Sequence, residues 1–112
     1  MLLPIAVCLL SSYLLGSIAT SVWISKYYFG KDIRECGSGN AGSTNMFRTF
    51  GYKAGLITQF VDIAKGVIAS VLPLFLPEST MVSISASDLL ILQIICGVLC
   101  VVGHSYPVFA HL

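Results

Sequence analysis

Residues 2–25 read LLPIAVCLLSSYLLGSIATSVWIS, an unbroken run without one charged side chain. As a helix rising ~1.5 Å per residue, this stretch outreaches the roughly 30 Å hydrocarbon core of a bilayer. Its second half is crowded with small residues, Gly16, Ser17, Ala19 and Ser21, which suit close helix packing in lipid. No Lys or Arg precedes the apolar run, and the run is too long for a signal-peptide core. It therefore reads as a retained transmembrane helix and not as a cleaved leader.

The rest of the chain agrees. Of its 112 residues, 56% are apolar and only 10% charged, where an ordinary soluble domain carries about 25% charge to cover its surface. Two further apolar segments follow, 54–76 and 88–103. The first of these holds Asp62 and Lys65; the second stops at Gly103-His104-Ser105-Tyr106-Pro107. The segment 88–103 is short for a full span, and the preceding Ser and Ile residues are expected to extend it. The expected fold is an all-α integral membrane protein, one membrane domain with three transmembrane helices. No internal repeat is visible.

Orientation follows from charge. Five of the six Lys and Arg residues, Lys26, Lys31, Arg34, Arg48 and Lys53, lie in the polar segment 26–53. The connector 77–87 has Glu78 but no Lys or Arg, and its Pro-Glu-Ser-Thr stretch reads as a turn-prone loop. The positive-inside rule places 26–53 in the cytoplasm, and the connector and N-terminus outside. His104 then returns to the cytoplasmic face, so the two polar features able to carry chemistry are expected on one side. Asp32 and Glu35 interleave with the cations, and the total charge is small, which excludes a nucleic-acid-binding tail. Cys8, Cys96 and Cys100 sit inside apolar runs and Cys36 in the cytosolic segment, so neither a disulfide nor a metal is assigned.

The loop carries the chemistry. Residues 37–48 read Gly-Ser-Gly-Asn-Ala-Gly-Ser-Thr-Asn-Met-Phe-Arg. Gly37, Gly39 and Gly42 let the backbone approach a ligand, and Ser38, Asn40, Ser43, Thr44 and Asn45 add short hydrogen-bonding groups. Thr44 or Asn45 is placed to cap a short helix running to Phe50 and ended by Gly51. The amides at its start attract an anion, and Arg48 can grip phosphate in a bidentate fork. By residue chemistry alone, a phosphate site and a flexible interhelical loop with one snorkelling arginine both stay open. A Walker loop is excluded because Gly-Lys-Ser/Thr is absent, and a dinucleotide fingerprint because no strand precedes. Asp62 and Lys65, at i and i+3, are expected to form an ion pair near the cytoplasmic end of their span, bordering the phosphate site. A proton or ion pathway is the competing role for them.

The string Gly37-Ser38-Gly39-Asn40-Ala41-Gly42-Ser43-Thr44-Asn45, then Arg48, Gly51 and Lys53-Ala54-Gly55, resembles the first signature of the acyl-phosphate:glycerol-3-phosphate acyltransferases of bacteria. Leu14-Leu15-Gly16-Ser17-Ile18, Gly30-Lys31-Asp32-Ile33-Arg34, Asp62 with Lys65-Gly66, and Gly103-His104 with Pro107-Val108-Phe109 resemble the same family in the same order. The resemblance implies an enzyme of the cytoplasmic membrane in phospholipid synthesis, with no cofactor. Its substrates are acyl phosphate and glycerol 3-phosphate, and its product is lysophosphatidic acid.

By resemblance, Ser38 and Arg48 are the catalytic polar residues. Gly37, Gly39, Asn40, Gly42, Thr44 and Asn45 shape the loop or bind phosphate, and His104, Asp62 and Lys65 are possible lining residues. Transfer is direct, with no acyl-enzyme. A His-x4-Asp acyltransferase is excluded because Phe109 stands five residues after His104. The family's second and third signatures lie beyond the position of Leu112, so the chain is expected to be a truncated N-terminal part, inert alone. Two other readings compete. A small multidrug-exporter-like transporter needs an acidic residue in the first span, and 2–25 has none. A structural membrane subunit would use 37–48 as a docking loop.

Overall fold

The computed structural model describes residues 2–109. Every regular element among them is helical, and three stretches, Leu2–Tyr28, Tyr52–Phe75 and Ala86–Ser105, are long and apolar enough to cross a membrane. The chain divides into two compact units, one of residues 2–18 with 65–108, the other built on 19–64.

In the first unit, α1 (Leu2–Gly16) packs along α6 (Ala86–Ser105). Glycine makes this close approach possible. A methyl group on Gly16 would fall onto the Cys100 carbonyl, and one on Gly103 onto the Tyr13 carbonyl. Lipid supplies no hydrophobic drive between spans, so this backbone-to-backbone contact is what holds them. Tyr13 Oη adds a bond to the Tyr106 carbonyl at 2.8 Å. Cys8, Leu92 and Cys96 form a buried cluster with Ile5, Leu9, Leu72 and Leu76 around it.

Ser85 caps α6, its side chain accepting from the Asp88 amide at 3.1 Å. The Ala and Ser residues that follow carry the helix to twenty residues, as the short apolar run 88–103 required. The connector expected as a plain loop contains a short helix, α5 (Glu78–Ser83). Pro77 precedes it, and its fixed φ and missing N–H cost nothing at a helix start.

The second unit contains α2 (Thr20–Tyr28), a 3-10 turn at Ile33–Glu35, α3 (Ser43–Phe50) and the first half of α4 (Tyr52–Val71). Ala19, Val22, Ile33, Met46 and Ala54 form its core, with Trp23, Ile24, Ala41 and Phe50 packed against them. Asp32 starts the 3-10 turn, accepting from the Arg34 amide at 2.9 Å, and pairs with the Arg34 guanidinium at 2.7 Å. That side-chain bond holds the Asp32 carboxyl below its ordinary 3.8 and raises Arg34.

The first span departs from the single helix expected over 2–25. Helix α1 stops at Gly16, Ala19 is non-helical (φ −84, ψ 72), and α2 begins at Thr20. The reason for the break lies in the partner of its carbonyls, described next.

Candidate functional site

Two polar clusters emerge, one in each unit. In the first, Lys65 of α4 is only 4% exposed. Its ammonium donates to the Gly16 carbonyl at 3.2 Å and the Ile18 carbonyl at 2.7 Å, and lies 3.1 Å from His104 Nδ1. A helix end in hydrocarbon leaves carbonyls that water cannot reach. Lys65 serves them, which is why the span can break there. An ammonium can only donate, so in this contact His104 Nδ1 is the acceptor.

The second cluster is the loop 37–48. Gly37 (φ 51) and Gly39 (φ 78) occupy the left-handed region, turning the chain sharply on either side of Ser38. Asn45 sits beneath them, 3% exposed. Its Nδ2 donates to the carbonyls of Asn40 at 2.9 Å, Cys36 at 3.0 Å and Ile33 at 3.3 Å. Its Oδ1 accepts from the Ser38 amide at 3.4 Å and the Thr49 hydroxyl at 3.3 Å. Both ends of its amide are thus bonded to the chain itself, tying the loop to the start of α3.

This changes the expected cap. Neither Thr44 nor Asn45 caps α3; Gly42 stands at the cap position in extended conformation, and no side chain closes the helix start. Asn45 is already inside the helix with its amide occupied elsewhere. The first amides of α3 are therefore left for another acceptor. Gly51 ends α3 as expected, at φ 95.

Around the turn, Ser38, Asn40, Thr44 and Arg48 are exposed, while Gly42 is half-buried. Thr44 and Arg48 lie one helical turn apart on the same face. Ser38 Oγ accepts from the Asn40 amide at 3.4 Å. Among the described residues Arg48 has no ion-pair or hydrogen-bond partner, in contrast to Arg34. The loop thus presents a left-handed turn, an uncapped helix start and an uncommitted guanidinium. Of the remaining candidates, Asp62 is half-buried on α4 in the same unit, and Lys65 and His104 belong together in the first unit.

Of two residues that hold the loop, Ser21 was read only as a packing residue of the first span and Ser25 only as its last residue. Ser21 Oγ donates to the Ala41 carbonyl at 2.7 Å, and Ser25 Oγ accepts from the Ile33 amide at 2.9 Å. Their i, i+4 spacing on one face of α2 was the available signal.

Comparison with known proteins follows the same lines. The chain is 43% identical over 103 residues to a glycerol-3-phosphate acyltransferase of Streptococcus mutans serotype c, covering 92% of this chain and 44% of that protein. A protein of the same name from Limosilactobacillus reuteri is 45% identical over 98 residues, 88% of this chain and 43% of the relative. One from Streptococcus agalactiae serotype III is 39% identical over 106 residues, 95% and 45% respectively. The chain spans less than half the length of these curated relatives. No solved structure matches it. The family model described as glycerol-3-phosphate acyltransferase matches residues 6–112, and the chain belongs to that family.

Proposed function

We propose that this chain is part of a membrane enzyme that moves a fatty acyl group from acyl phosphate to the 1-hydroxyl of glycerol 3-phosphate, giving lysophosphatidic acid and inorganic phosphate. The observation that carries the reading is the loop 37–48, with its uncapped α3 start and unpaired Arg48. Acyl phosphate is a mixed anhydride, so its carbonyl is already activated. Catalysis then needs two phosphates held close and charge stabilised as one leaves. The α3 amides and Arg48 receive a phosphate; Ser38, held between the two left-handed glycines, donates a hydrogen bond to it. The glycerol hydroxyl attacks the carbonyl directly, the C–O bond to phosphate breaks, the hydroxyl proton passes to the departing phosphate, and no acyl-serine forms.

In the full-length protein, Arg48→Ala is expected to abolish binding of phosphate-bearing substrates, measured by calorimetry in detergent. Intact binding in that variant would sink the phosphate assignment. Mass spectrometry during turnover should find Ser38 unacylated; an acyl adduct there would replace direct transfer with a covalent mechanism. The orientation that belongs to this reading, with 26–53 cytoplasmic and the N-terminus outside, predicts that Glu78→Cys reacts with impermeant maleimide from outside intact cells. Protection from outside would reverse it.

A further inference from the structure

One hydrogen bond joins α2 to the entry of α3. Ser21 is 3% exposed, and its Oγ donates to the Ala41 carbonyl at 2.7 Å, across 20 residues of sequence. Ala41 immediately precedes Gly42, the extended cap of α3 (φ −100, ψ 165). The Ala41 carbonyl and the Gly42 amide belong to one peptide group. In this planar trans unit the C=O and the N–H point in opposite directions. A carbonyl held on α2 therefore turns the Gly42 N–H away from α2.

Among the described residues the Gly42 amide donates to no carbonyl or side chain. The same holds for Ser43, Thr44 and Asn45, because the first bond of α3 runs from the Met46 amide to the Gly42 carbonyl at 3.2 Å. Successive amides left in this way form a concavity suited to an anion. Met46 is buried with Val22 of α2, whereas Thr44 and Arg48 are exposed.

Gly42 cannot hold this arrangement by itself. Having no Cβ, it tolerates the reverse orientation of its peptide, reached by opposite turns of Ala41 ψ and Gly42 φ. Ser21 is the one donor to the Ala41 carbonyl among the described residues. Without it that carbonyl is left unsatisfied against α2, and turning it outward to water relieves the cost. The reversed peptide then offers an arriving anion a partial negative charge where a donor stood.

We propose that Ser21 is a positioning residue of the phosphate loop, holding the 41–42 peptide so that the Gly42 amide donates to the substrate phosphate. This rests on the acyl-transfer reading and deepens it: Ser21 acts through Ala41 and Gly42 and itself touches no substrate.

The test uses the full-length protein in detergent, isotope-labelled at its glycine nitrogens, with inorganic phosphate as the probe. In wild type the Gly42 amide proton should move downfield as phosphate is added, the mark of a hydrogen bond to a charged oxygen. In Ser21→Ala that shift should disappear. Phosphate affinity by calorimetry should fall about tenfold, as for one lost bond to a charged group. Ser12→Ala removes another buried hydroxyl of the first span, bonded to the Cys8 carbonyl of its own helix, and should leave shift and affinity unchanged. A Gly42 amide unmoved by bound phosphate in wild type would overturn the role without any variant. Wild-type affinity in Ser21→Ala would overturn it too. Equal losses in Ser21→Ala and Ser12→Ala would reduce the effect to a general loosening of the first span. Wild type that binds no phosphate at all would remove the acyl-transfer reading, and this role with it.

Discussion

Gly103→Ala sets two effects of opposite sign against each other. Inside α6, replacing glycine by alanine favours the helix by ~0.8–1.0 kcal/mol through backbone entropy. The new methyl group, however, would strike the Tyr13 carbonyl and lie 2.9 Å from the Ser17 nitrogen and 3.1 Å from the Gly16 carbonyl carbon. All three are backbone atoms, so no rotamer change relieves the collision. Helix α6 must then back away from α1 along its length, forfeiting dispersion contacts that lipid does not replace. Overpacking of this kind costs ~1–3 kcal/mol and occasionally more. With three backbone atoms in the way the cost falls at the upper end, about 3 kcal/mol, so the net expectation is a loss of about 2 kcal/mol, roughly a thirtyfold shift toward the unfolded form. Reversible unfolding of the full-length protein in bicelles, followed by steric trapping, measures it. Gly66→Ala is the internal control. It sits in α4 with nothing within 4 Å of the added methyl, so it should gain up to ~1 kcal/mol. If Gly103→Ala were as stable as wild type or more so, the packing account of α1 and α6 would be wrong.

Other substitutions probe the loop and the break. Asn45→Ala removes the amide that ties three carbonyls, and should cost about 2–3 kcal/mol and open residues 37–42 to limited proteolysis. Lys65→Met strands the Gly16 and Ile18 carbonyls and should destabilise by roughly 2 kcal/mol or more in the same bicelle assay. Asp32→Asn breaks a partly exposed pair and should cost less than about 1 kcal/mol. Because the Asp32 carboxyl is held below its ordinary 3.8, the wild-type advantage should be complete above that pH and vanish as pH falls through the lower folded value. A wild-type advantage that persisted in strong acid would contradict the pairing.

The spans were legible because composition and length decide them: a charge-free run of that size has few homes outside lipid. The break at Gly16 was not legible, since Gly-Ser pairs also occur in straight spans. What makes this one a break is Lys65, and its reach to Gly16 and Ile18 is a tertiary fact. In the loop, three glycines pointed to a backbone free to turn, and Gly37 and Gly39 take the left-handed region while Gly42, at φ −100, stays extended. Asn45 was visible as a short polar residue, but only the folded contacts separate an amide that meets ligand from one that ties the chain. The connector misled for a local reason: Pro-Glu-Ser-Thr is as good a helix start as it is a turn.

The broken first span also bears on how such a chain is inserted. Its break is completed by an ammonium that lies 47 residues downstream of Ile18. A nascent chain that has threaded α1 and α2 into the translocon, but not yet α4, has no donor for those carbonyls. In hydrocarbon the cheaper state at that moment is one continuous helix, with each carbonyl bonded four residues on. The Gly16 and Ile18 carbonyls therefore gain this donor only once α4 is in place. The first span thus depends on the second for the bonding of its own backbone.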